Sequence, residues 1–420
     1  MANDPGGTME HVRSTGQSAR PRSVATLNHG ELATLTREHL LAGHVIDRAG
    51  MPLVIPHGVE FMRDVAIDEW MGASPVYAKR MQKLLGFEGD TVEVALKGLQ
   101  LDVGSPPEFM DFRLAVQDEH HGTFHLDHCG ALMDVEPMGE DYVVAMCHHI
   151  EDPTFDATGW ATNPRLRMRP VHRPPRTPAD RHPHCAWTVT IDESLDPTPA
   201  PERAVVVGDS QAALLPLATI TGPLDDGFAD YSRPLDPDLR HEDFASGALR
   251  AIIDEVDLQG HLLAQSFSRA VGDRLPPEDT RDAVVRQFIG VAGWAAERLV
   301  RAFALGTDPV DVASAFELHP AFFPRSYVDW TVEVADDQVH LRLGDCPALH
   351  EVDFPSWIGE LHAGRTEPLS AIATAVDPYL AVEQLEPGHW VVSRTDVRAD
   401  ELSEVMVTRF STATKFRFAE

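Results

Sequence analysis

Two stretches decide the fold: Asp90-Thr91-Val92-Glu93-Val94-Ala95, and further along Asp308-Pro309-Val310-Asp311-Val312-Ala313. Both read as helix starts. An Asp is placed to cap free backbone N–H groups, an acid follows three residues later, and in the second stretch a proline stands where its missing N–H does no harm. The likeness runs on without a gap: Val92 to Asp111 and Val310 to Asp329 are each 19 steps. Each of these later Asp residues opens an alternating strand, with Phe112, Leu114 and Val116 on one face in the first and Trp330, Val332 and Val334 in the second. A second strand follows in each, Thr123–Leu126 and His340–Leu343. It leads to Cys129-Gly130-Ala131-Leu132 in one case and Cys346-Pro347-Ala348-Leu349 in the other.

Working outward, each copy carries a helical stripe upstream, Tyr77, Met81 and Leu84 in one and Val284, Phe288, Val291 and Ala295 in the other. Gly86 and Gly306 read as the residues that end these helices. Downstream, Asn163-Pro164-Arg165-Leu166 parallels Asp377-Pro378-Tyr379-Leu380. A closing strand is read at Trp187–Ile191 and at Lys415-Phe416-Arg417-Phe418. The expected fold is therefore α+β: two diverged copies of a unit in which N-terminal helices pack on an antiparallel sheet. The expected boundaries are a disordered arm over 1–25, a catalytic copy over 26–195, a Pro/Asp-rich linker over 196–240 and a degenerate copy over 241–420.

The 420 residues suit two domains of ordinary size, and 43% hydrophobic content suffices for their cores. A formal net charge of −31 repels phosphate backbones and anionic membrane surfaces, so neither nucleic acid nor membrane is an expected partner. The sequence has no apolar run long enough to span a bilayer and no apolar secretion signal at its start. Four cysteines, Cys129, Cys147, Cys185 and Cys346, are too few for a disulfide framework. They suit a cytoplasmic location, with thiols free or bound to metal.

The first copy concentrates ligand-type residues: Glu119-His120-His121, His125, His128 and Cys129, then Cys147-His148-His149-Ile150-Glu151-Asp152, then His182, His184 and Cys185. Thiolate and imidazole together suit zinc, and also iron or copper. The intervals, 18 steps from Cys129 to Cys147 and 38 from there to Cys185, are not those of a zinc finger, so the fold must gather the ligands. Against this stand ordinary readings: cysteine is among the most buried residue types, and histidines beside acids are often only solvated. In the second copy Leu361, Ala363 and Thr412 fall opposite Cys147, His149 and Cys185, which leaves no metal ligands there. The run Val205-Val206-Val207-Gly208-Asp209-Ser210 imitates a strand-to-serine nucleophile turn, but no Asp-x-x-His partner follows it.

The order of a strand, Cys129 with a small residue, a helix, Cys147 followed by acids, the Asn163-Pro164-x-Leu166 turn, Arg173 and Cys185 opening an aromatic strand resembles the L-2-amino-thiazoline-4-carboxylic acid hydrolase-like family. Glu151 also stands at a matching position. The likeness covers about Val92 to Ile191, and Asp308 to Glu420 in degenerate form. The last strand departs from the family's frequent Cys-Asp-Phe-Arg-Phe, reading Cys185-Ala186-Trp187-Thr188-Val189, and there is an insertion between Cys147 and Asn163. The resemblance implies hydrolysis of a small cyclic amide- or amidine-like molecule. The expectation is thus a metal-dependent hydrolase acting on non-peptide C–N bonds. A zinc ion on Cys129, Cys147, His149 and Cys185 would lower the pKa of bound water. Glu151 or His148 would move protons, and Asn163 and Arg173 would hold substrate. Four protein ligands, however, would close a zinc site to water. The alternatives are a small-ligand-binding or sensor protein without turnover, and a metal-dependent oxidoreductase.

Overall fold

A computed structural model describes residues 20–412 of the chain. The first unit opens with two long helices, α1 (His29–Val54) and α2 (Val59–Leu84), then α3 (Val92–Gln100). Strands β1 (Met110–Val116) and β2 (His121–Cys129) follow, then α4 (Gly130–Val135) and a long helical run. That run consists of α5 (Glu140–Val144), a wide π turn (Ala145–Ile150) and α6 (Glu151–Trp160). Strands β3 (Leu166–His172) and β4 (Cys185–Ile191) complete the unit. After the short α7 (Glu202–Val207), the second unit repeats the plan with α8 (Ser246–Gly272), α9 (Pro277–Ala302), α10 (Pro309–Glu317), β5 (Trp330–Ala335) and β6 (Gln338–Leu343). It continues with α11 (Trp357–His362), α12 (Glu367–Val376), β7 (Leu380–Glu386), β8 (His389–Arg394) and α13 (Ser403–Thr412). The two sheets are antiparallel and have the same order, β1-β2-β4-β3 and β5-β6-β8-β7. The duplicated α+β fold read from the sequence is present.

Capping sets where the marker helices begin. Asp308 caps α10 as expected, accepting from the amides of Val310 and Asp311, but in the first unit the cap is Thr91, whose side chain accepts from Val94, and not Asp90. Gly86 takes a positive φ after α2, whereas α9 ends earlier and Ala304 takes the left-handed position in place of Gly306. In the second unit β8 takes the place of β4, with Trp390 where Trp187 stands, both fully buried; the strand read at Lys415–Phe418 lies outside the described residues. The Val205–Val207 stretch is helical rather than a strand, and Ser210 is buried with its hydroxyl accepting from the amide of Ala213. Of the N-terminal arm, residues 20–25 are described and anchored: the Arg22 amide donates to the Ser314 hydroxyl, and its guanidinium pairs with Glu31.

The long helices of the two units pack across one another, α1 on α8 and α9 and α2 on α8, so one apolar core runs through both units. α1 and α8 approach closely at Gly43 and Gly260: a Cβ on Gly260 would lie 3.9 Å from the Gly43 Cα. Buried polar pairs tie the units together. Arg80 grips Glu255, His39 meets Asp257 at 2.8 Å, and Glu38 pairs with Arg298. Among the described residues no helix is long and apolar enough to cross a membrane.

Candidate active site

A cleft with a cavity of about 90 Å³ opens in the first unit between α1, α2, the turn after α3, β1 and the helical run 140–160. From one face of α1 come His44, Asp47 and Arg48, spaced so that all three lie on one side of a helix. The carbonyl of Val103 accepts from His44 Nδ1 at 2.9 Å. Since a carbonyl only accepts, the proton is on Nδ1 and the lone pair is on Nε2. Burial, with the Arg48 charge beside it, lowers the His44 pKa to about 3, so the ring is neutral. Arg48 pairs with Asp134 of α4 and lies 4.2 Å over the Phe109 ring. Asp47 accepts from the Trp70 indole at 3.2 Å, and burial raises its pKa. Glu69 is wholly buried, and burial followed by the nearby Asp47 raises it far above the carboxylate range. Asp102 accepts from the Tyr77 hydroxyl at 2.7 Å and the Gly104 amide at 2.6 Å, yet burial holds it up at about 6.

Glu151 enters the cleft from the opposite wall. Pro153, two residues on, has no N–H to donate to the preceding turn and crowds the carbonyl four residues back. The helix widens there, and the Glu151 amide bonds to Met146 O, five residues back. Glu151 is 9% exposed. Burial pushes its pKa up to about 8, with Arg173 pulling it down and Asp152 adding to the rise. Among the described residues, His44 Nε2, Glu151 Oε2 and both Glu69 oxygens have no hydrogen-bond partner.

The residues expected from the sequence divide into two groups. Glu151 lines the cleft. Cys129, Cys147 and Cys185 are buried thiols. Burial, then the Glu151 carboxylate, raises Cys129 to about 12 and holds Cys147 and Cys185 well above the ordinary thiol value. Cys129 also caps α4, its sulfur 3.3 Å from the Leu132 amide. His149 does not join them. Two positions beyond buried Cys147 on a helical turn, it faces the other way and is exposed. Among the described residues, no group of three or more His, Cys, Asp or Glu side chains is arranged to hold a metal ion. The four-ligand zinc site expected from the sequence therefore does not fit this arrangement. His148 is not among the cleft residues: its Nε2–H donates to the Pro174 carbonyl at 2.7 Å. Asn163 is a turn residue, with its amide donating to Asp90 O and accepting from the Arg165 amide. Arg173 donates from Nη1 to Asp152 at 2.5 Å and is not among the cleft residues. The outer histidines meet nearby acids: His121 meets Asp118 at 2.9 Å, and His125 meets Asp127 at 3.4 Å.

The sequence reading missed His44, Asp47, Arg48 and Asp102. One signal was present: Leu41-x-Gly43-His44 recurs as Leu258-Gln259-Gly260-His261. In the second unit the equivalent space is filled. Trp357 stacks on Phe288 at 4.7 Å, both it and Tyr327 crowd His261, and the cavities beside His261 are about 20 and 10 Å³. Sheet register sets the counterpart of Cys185 at Gly388 rather than Thr412, because Leu126 lies opposite Cys185 while Leu343 bonds to Gly388 O. Comparison of the chain with family models, curated proteins and solved structures returned no match.

Proposed function

We propose that the first unit hydrolyses a C–N bond in a small cyclic amide- or amidine-like molecule, the class implied by the hydrolase-like resemblance of Cys129, Cys147, Glu151, Arg173 and Cys185. The observation that carries this reading is the Glu151 carboxyl: nearly buried, raised to about 8, and with Oε2 free of any partner among the described residues at the wall of the cleft. A carboxyl of that pKa is protonated at neutral pH and suits proton donation to a leaving nitrogen. The bare Nε2 of His44 accepts a hydrogen bond from the attacking water. Water adds its oxygen to the electrophilic carbon, the C–N bond breaks, Glu151 gives its proton to the nitrogen, and the proton lost by the water returns to Glu151. Arg48 supplies a fixed positive charge in the cleft wall for the oxygen that becomes negative during addition. The mechanism is written on these residues: Cys129, Cys147 and Cys185 lie near enough to act on one another, but exposed His149 does not join them. Four free thiols suit a reducing, cytoplasmic setting.

The test is turnover of L-2-amino-thiazoline-4-carboxylate and related cyclic amidines by the whole chain and by Glu151→Gln. Loss of a positioned proton donor lowers rates by about 10²–10⁴. Unchanged turnover in Glu151→Gln would remove Glu151 from the chemistry.

One observation favours a second reading, ligand binding without turnover. At about 3, His44 is a hydrogen-bond acceptor but a feeble base. Calorimetric binding of the same compounds without product would select it.

A further inference from the structure

The second unit, whose own cleft is filled, reaches the first unit's cleft through one side chain. Gln259 lies on α8, 1% exposed, immediately before the Gly260 at which α8 meets α1. Its side-chain oxygen accepts from the Val103 amide at 3.0 Å, and its side-chain nitrogen donates to the Leu101 carbonyl at 3.3 Å. One amide thus satisfies both polar groups of a buried turn, much as a neighbouring strand would. That turn, Leu101-Asp102-Val103, is itself buried. It presents the Asp102 carboxyl to the cleft, and Val103 O is the acceptor that keeps the proton on His44 Nδ1. In the first unit the position before the matching glycine is Ala42, which has no such group.

We propose that Gln259 is a positioning residue. By clamping the 101–103 turn, the second unit fixes the tautomer of His44 and the aim of Asp102 in the first unit's site. This rests on the reading of that cleft as the functional site, but the link from Gln259 to His44 is observable without any substrate. The outcome for a hydrogen-bonded imidazole is all-or-none at each nitrogen: with Val103 O in place, Nδ1 holds the proton, and when the carbonyl moves away the two neutral tautomers compete. The duplication therefore retains a use for its degenerate half, and the helix crossing that joins the units also sets the chemistry of one of them.

The experiment is nitrogen NMR of the full chain labelled at histidine, with the His44 signals assigned by their disappearance in His44→Gln. The wild type should show a single His44 tautomer, protonated at Nδ1. Gln259→Met, close in shape but unable to bond to Val103, should show both tautomers. Gln265→Met, on the same helix but bonded to Tyr327 and Glu351, should leave His44 as in the wild type. An unchanged His44 spectrum in Gln259→Met would overturn the proposal. Hydrogen exchange on the unaltered chain provides a test that survives misfolding of the variant. The Val103 amide should exchange at least 100-fold more slowly than those of the exposed Asp336-Asp337 turn, and equal rates would also overturn the proposal. If the tautomer changes as expected but no cyclic amidine is turned over by the wild type, Gln259 stands as the clamp and only the hydrolase reading falls.

Discussion

Arg173 Nη1 lies 2.5 Å from Asp152 Oδ1, and this ion pair flanks the one carboxyl on which the proposed chemistry depends. The two charges act on Glu151 in opposite senses: Arg173 lowers its pKa and Asp152 raises it. Removing one should therefore move Glu151 in a direction known in advance. Asp152→Asn leaves Arg173 uncompensated, so Glu151 should fall below about 8, while Arg173→Gln should raise it. The check is the upper pH limb of turnover, or carbon NMR of the Glu151 carboxyl. Both variants moving the same way would mean that the pair acts through the fold and not through its charges.

The same carboxyl makes stability depend on pH. Its folded pKa of about 8 lies above its ordinary value of 4.5, so the folded state holds the proton more tightly than the unfolded state. This contribution is fully present below about 4.5 and is lost as pH rises through 8, each unit of difference being worth about 1.4 kcal/mol. Glu151→Gln resembles the protonated form but cannot ionise. It should match the wild type in urea unfolding at pH 4.5 and be more stable by several kcal/mol at pH 9. A wild-type advantage at pH 9 would contradict the burial argument.

Gly43 and Gly260 face each other across the helix crossing, but their substitutions should not be equivalent. A Cβ at Gly43 would lie 2.5 Å from Val103 Cγ1, a stiff β-branched side chain in the turn that orients His44. A Cβ at Gly260 would meet the tip of Ile46 at 3.1 Å, and that tip can rotate away. Gly43→Ala should cost about 1–3 kcal/mol by overpacking and also disturb the His44 tautomer. Gly260→Ala should cost less and leave His44 unchanged. Thermal melts and the imidazole spectrum together decide this.

The duplication was legible because strand alternation is a local signal that survived in both copies, even though the first marker helix is capped by Thr91 and not Asp90. Val92–Asp111 and Val310–Asp329 needed no knowledge of packing. The site was only partly legible. Glu151 and the three cysteines stood out by residue type, but which way His149 faces depends on the helical turn 145–150, which residue type alone does not disclose. His44, Asp47 and Arg48 were hidden inside a helix that looked like ordinary core, and what makes them a site is the empty space opposite them. The role of Gln259 depends on a contact 156 positions away in the chain, which local pattern cannot reveal.

The thiols offer the sharpest separation between the metal-based expectation and the mechanism written on Glu151. Zinc binds thiolate, and Cys129, Cys147 and Cys185 are all held toward the neutral thiol by burial and by Glu151. A bound cation would reverse that, since a coordinating sulfur is deprotonated outright. If Glu151 carries the reaction with His44, turnover should survive dialysis against a chelator within about twofold. All four buried cysteines should react slowly with a thiol reagent in the folded chain and completely once it is unfolded. Cys147→Ser places a hydroxyl in an apolar site and should cost about 1–3 kcal/mol in stability, and Cys346→Ser in the second unit should cost a similar amount, with neither change abolishing turnover. Loss of turnover on chelation, restored by zinc and absent altogether in Cys147→Ser but not in Cys346→Ser, would place a metal on the first unit's thiols and displace Glu151 from the centre of the reaction.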